Sequence, residues 1–84
     1  MDGNEFIKLA KKVLKDSVKN ASLKKDGKWN IIPVWTTKVL QNNKGMFIID
    51  GLANWYFEVT YNGSKNQFYV DGYHKHYNEC IVVD

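Results

Sequence analysis

A single change of hydrophobic period, at Asp26-Gly27, constrains this chain more than any other feature. Before it, Phe6, Leu9, Ala10, Val13, Leu14, Ser17 and Ala21 recur at the i, i+3, i+4, i+7 spacing of one helical stripe. After it, apolar and aromatic residues alternate with a period near two, as in strands with one buried face. One helix followed by strands predicts an α+β domain.

The helix is expected over about residues 4–21. Asp2 and Glu5 have capping-box spacing, and Asn4 is the other candidate N-cap. Acids at its start and lysines toward its end suit the helix dipole. Lys8, Lys12, Lys15 and Lys19 line the face opposite the apolar stripe. Residues 1–28 hold eight of the twelve lysines against four acids, whereas residues 29–84 hold four lysines against five acids. The basic excess is confined to the helix and the loop after it.

Four strands are expected, at about 29–40, 46–50, 54–61 and 65–77. Pro33 cannot donate to a ladder, so the first strand should lie at an edge or be bulged there. Gln41-Asn42-Asn43-Lys44-Gly45 and Asp50-Gly51 read as turns. Asn62-Gly63 is a strong hairpin signal of the type I′ kind. A two-residue loop there would pair Phe57 with Phe68; a four-residue loop over Asn62–Lys65 would pair Val59 with Phe68. Both registers leave the same side chains on the same faces. Trp55, Phe57, Val59, Tyr61, Phe68 and Val70 face inward, and Tyr56, Glu58, Thr60, Tyr69, Asp71 and Tyr73 face outward. Cys80–Val83 is a candidate short terminal strand. The expected architecture is one N-terminal amphipathic helix packed on one face of a four-stranded antiparallel meander. It forms a single domain over residues 1–84, and the other sheet face is uncovered.

At 84 residues, folding buries only about 60–65% of the surface of the unfolded chain. So small a core cannot readily wall off a desolvated pocket, which argues against an enzyme. No phosphate-loop, dinucleotide or nucleophile-elbow motif is present. Asp50, Glu58, Asp71 and Glu79 lack a spacing that implies paired acid–base work. His74, His76 and Cys80 form the one metal-type cluster, and they lack the spacing of a zinc site. No catalytic residue, metal or cofactor is therefore expected. No apolar run could span a bilayer and no signal-peptide core is visible, so the expectation is a cytoplasmic protein without a membrane partner. A single cysteine suits a reducing compartment.

What remains is surface. The outward tyrosines Tyr56, Tyr69 and Tyr73, with Trp35 and Tyr77 as further candidates, could stack on bases or anchor a protein partner; they could also be ordinary cross-strand pairs. Glu58 and Asp71 share this face and would repel phosphates, which favours a protein partner or self-association, as monomer or homodimer. The helix lysines could supply an electrostatic footprint for nucleic acid. The chain has no arginine, however, the residue best suited to bidentate base and phosphate contacts.

Val34-Trp35, Lys38 through Leu40-Gln41-Asn42-Asn43-Lys44, Glu58-Val59-Thr60-Tyr61-Asn62-Gly63 and Tyr69-Val70-Asp71 together resemble a family of small uncharacterised proteins from phages and prophages of Gram-positive bacteria. The resemblance runs from the helix to the last long strand and brings no catalytic residues with it. It implies a small accessory protein, acting in the host cell, that binds and inhibits or modulates a host or defence protein. An anti-CRISPR inhibitor of a Cas effector is the most specific form. The alternatives are a nucleic-acid-binding accessory protein using the helix lysines and a self-assembling structural component.

Overall fold

A computed structural model describes residues 1–76 and 79–83. Helix α1 (Gly3–Asn20) is followed by strands β1 (Ile31–Val39), β2 (Asn42–Ile49), β3 (Trp55–Asn62) and β4 (Gln67–His74). The strands form one antiparallel sheet in the order β1-β2-β3-β4, a plain meander. The expected α+β architecture is the observed one.

Local chemistry sets the helix ends. Asp2 is the N-cap: its carboxylate accepts from the Glu5 backbone N–H at 2.8 Å, satisfying one of the unpaired donors of the first turn. At the other end Ser22 takes a left-handed conformation, with φ 57°. The Ser22 and Leu23 amides donate back to the carbonyls of Lys19 and Val18, which is a Schellman closure. Phe6, Ala10, Leu14 and Val18 repeat every four residues and are buried. Val18 takes the place expected of Ala21, which is exposed because the helix has already ended.

This stripe lies on the inner sheet face. Ile31, Phe47, Ile49, Phe57 and Val59 complete the buried core. The Phe6 ring meets Phe47 at 6.4 Å and stacks nearly parallel to Phe68 at the same centroid distance, so one helical ring joins β2 to β4. Trp55, Tyr61, Phe68 and Val70 pack around it.

Two strand boundaries differ from expectation by three residues or more, and the others by one or two. The first turn is only Leu40-Gln41, and β2 begins at Asn42 rather than near Met46. The polar run Asn42-Asn43-Lys44-Gly45 is strand although one of its inward residues is polar and incompletely satisfied: Asn43 Oδ1 is buried without a hydrogen-bond partner among the described residues. Asn43 is buried and donates to the Met1 carbonyl at 3.3 Å. Gly45 leaves room for the Phe6 and Phe47 ring edges and the Thr36 methyl, which would stand 3.0–3.2 Å from a Cβ there. The second larger difference is the end of β4, at His74; Tyr77 lies outside the described residues. Cys80–Val83 carries no strand and is exposed.

The register of β3 with β4 is also corrected. Tyr61 pairs with Phe68 and Val59 with Val70, around a four-residue turn over 63–66. Asn62 is not the first turn residue. Its side-chain oxygen accepts from the Ser64 amide, the Ser64 hydroxyl and the Lys65 amide, capping the longer loop from the end of the strand. The positive φ falls on Asn66. The offset from both expected registers is even, so every side chain keeps its expected face.

Pro33 meets both expectations at once. Strand β1 is an edge of the sheet, and its pairing with β2 shifts between Pro33 and Trp35, so that Val34 is an extra, bulged residue.

Candidate binding surfaces

The bulge decides where Trp35 points. Past Val34, Trp35 pairs with Met46, which in turn pairs with Glu58, which pairs with Asp71. Cross-strand partners share a face, so these four form one row on the face away from the helix. Beside this row, Ile32 pairs with Ile48, and Tyr56 pairs with Tyr73. Ile32, Ile48 and Tyr56 line one recess at that end of the sheet. On the other side lie Thr37 opposite Lys44 and Thr60 opposite Tyr69.

The outer face is therefore graded. One end is apolar and aromatic: Ile32, Trp35, Tyr56 and Tyr73 are each between 39% and 52% exposed. Its middle is charged. Lys44 Nζ stands 3.3 Å from Glu58 Oε1, a partly exposed ion pair. Asp71 has no ion-pair partner among the described residues, although it lies directly across from Glu58. Tyr69 closes the polar side, its hydroxyl donating to Gln67 at 2.8 Å. All five residues expected at a partner-binding face, Tyr56, Glu58, Tyr69, Asp71 and Tyr73, lie together on it. Sequence reasoning missed Ile32, Ile48 and Met46. Their facing depends on the early start of β2 and on the bulge in β1.

The second surface is the lysine face of α1. Lys8, Lys12 and Lys19 are exposed. Lys15 is half-buried, and its ammonium lies 5.7 Å from the Trp29 ring centroid, within cation–π range. Lys24 approaches the same ring at 5.6 Å. The Lys24 side chain is only 6% exposed and holds Asp26 Oδ1 at 2.6 Å. Asp26 also accepts from the Lys28 amide at 3.0 Å. The Lys24 contact, then the Lys28 amide, hold the Asp26 carboxyl below its usual pKa. Two of the eight N-terminal lysines thus serve to fasten the loop after the helix onto Trp29.

The His74 and His76 rings do meet, Nδ1 to Nε2, at 3.5 Å. Cys80 is exposed, and among the described residues no group of three or more His, Cys, Asp or Glu side chains is placed to hold a metal ion. Also among the described residues, no helix is long and apolar enough to cross a membrane.

These features define a class: an α+β meander covered by a single helix on one side and, among the described residues, bare on the other. Within that class the chain belongs to the DUF6275 family, a family of unknown function, whose model matches residues 7–83. No curated protein and no solved structure matches the chain.

Proposed function

We propose that this protein is a non-enzymatic binding domain that docks a protein partner on its uncovered sheet face. The observation that carries this reading is the exposed apolar end of that face, Ile32, Trp35, Tyr56 and Tyr73, next to Asp71, which has no ion-pair partner among the described residues. Aromatic anchors beside a lone charge suit a protein surface. The complementary partner offers an apolar patch with a lysine or arginine at its margin, placed to meet Asp71. The finer role is that of a phage-type accessory protein that inhibits or modulates a host or defence protein, a Cas effector in its most specific form. The motif resemblance is what supports that refinement.

A second reading has its own observation. Lys8, Lys12 and Lys19 are exposed on the opposite side of the molecule, where a phosphate backbone could lie without meeting Glu58 or Asp71.

Affinity capture from a host lysate separates the two. The pair Tyr56→Ala and Tyr73→Ala should abolish recovery of the partner, while Lys8→Glu with Lys12→Glu should leave it intact. Undiminished capture by the tyrosine variant, with its circular dichroism unchanged, overturns the sheet-face reading. Salt-sensitive retardation of generic DNA or RNA by the native protein, lost in the lysine variant, would establish the second.

A further inference from the structure

We propose that His74 and His76 form a two-nitrogen chelating site for a borderline divalent transition-metal ion, of the zinc, nickel and copper class. His74 is the last residue of β4, and His76 follows just beyond it. Their rings stand edge to face with centroids 4.6 Å apart, and His74 Nδ1 lies 3.5 Å from His76 Nε2. Two nitrogens each about 2.0–2.1 Å from one zinc ion, at the tetrahedral angle, are about 3.3–3.4 Å apart. The observed separation is close to that span, and turning each ring aside from its hydrogen-bonding orientation points both lone pairs at a common ion. Imidazole suits zinc, nickel and copper among the common divalent ions.

The surroundings favour a held pair over two independent surface rings. His74 pairs with Trp55 across β3 and β4, and its ring packs on the Trp55 indole at 4.9 Å. Trp55 is in turn stacked on buried Phe57 at 5.8 Å. One ligand is thus anchored to the core, so the ion costs less ordering of side chains when it binds. Both histidines are exposed, which leaves the remaining coordination positions to water or to a group from another molecule. Without metal, one ring donates its N–H to the lone pair of the other. When the ion binds, each ring keeps one proton, carried on the nitrogen that faces away, and both facing lone pairs bind the metal. The site lies at the inner-face end of β4, apart from the tyrosine face, and does not depend on the proposed partner.

Titration of the purified chain with zinc, nickel and copper salts tests the proposal, read by calorimetry and by tryptophan emission. Copper should quench Trp55 selectively, so the quenching should disappear in Trp55→Phe while Trp29 and Trp35 still emit. His76→Ala leaves the His74–Trp55 contact in place and should weaken binding at least about tenfold, as should His74→Gln. Zinc should also raise the thermal midpoint of the native chain and leave that of His76→Ala unchanged. Equal affinity in the native chain and in a folded His76→Ala variant, or no uptake at millimolar metal, would overturn the site.

Discussion

Glu58 and Asp71 stand directly opposite each other on β3 and β4, two carboxylates side by side on the uncovered sheet face. Lys44 offsets one of them, from 3.3 Å, and Asp71 is left to the solvent. Like charges in this arrangement destabilise a sheet. On the proposed function, a partner that brings a cation to Asp71 would relieve this repulsion, so the feature that weakens the free fold would strengthen the complex. Asp71→Asn should raise the urea midpoint, by a stabilisation of about 0.2–1 kcal/mol, and weaken partner binding. A variant that unfolds more readily than the native chain would contradict this.

Phe6→Ala should be the most damaging single change in the helix. The ring is fully buried and contacts both Phe47 and Phe68. Truncating such a ring costs about 3–5 kcal/mol. For a domain of this length the whole stability is roughly 4–13 kcal/mol, so a substantial unfolded fraction should show in hydrogen exchange.

The two turns at the far end of the sheet give opposite predictions. Leu40 is 89% exposed and has φ 56°, a left-handed conformation that costs a residue with a Cβ about 1–2 kcal/mol. After the flexibility of glycine in the unfolded chain is set against this, Leu40→Gly should stabilise by about 0.5–1 kcal/mol. That raises the thermal midpoint by about 2–8 °C. At Gly63, by contrast, a Cβ would run into the carbonyl oxygen of Gln41 in the neighbouring turn. The Gly63 amide also donates to Asn42 Oδ1 at 3.1 Å. Gly63→Ala should separate the turns and lose about 1–3 kcal/mol, read by chemical denaturation.

Asp26 supplies a pH signature. Lys24, and then the Lys28 amide, depress its pKa in the folded chain. Its contribution is therefore present above the unfolded value of about 3.9 and is lost as the pH falls through the lowered folded value. Asp26→Asn should melt below the native protein at neutral pH, and the two midpoints should converge in acid. A gap that stays constant with pH would show that the carboxylate's charge does not fasten the loop.

The helix and β3 were legible because each buries one regular stripe, and a stripe survives in sequence as a period. The start of β2 was not. Asn42-Asn43-Lys44-Gly45 has turn chemistry, and only the distant Met1 carbonyl and the Phe6 ring make it strand. The register of β3 with β4 was lost to the side chain of Asn62, which caps a longer loop than Asn-Gly suggests. The tyrosine face could nonetheless be read, since facing depends only on parity along the strand. Its apolar neighbours could not: the bulge at Val34 resets parity along β1, and Met46 and Ile48 belong to a strand whose first residues have turn chemistry. Lys15 looked like its neighbours in sequence, and only the fold brings Trp29 beneath it.

The claim that the uncovered sheet face binds a protein is tested most directly by photo-crosslinking from the face itself. A benzoyl-phenylalanine in place of Tyr73 keeps the ring where the native one lies, half exposed on β4. The same group at Lys8 samples the opposite side of the molecule. Irradiation in host lysate should give one protein adduct of defined mass from position 73 and none from position 8. An adduct from position 8 alone, or from position 73 only with a second copy of this chain, would contradict the account.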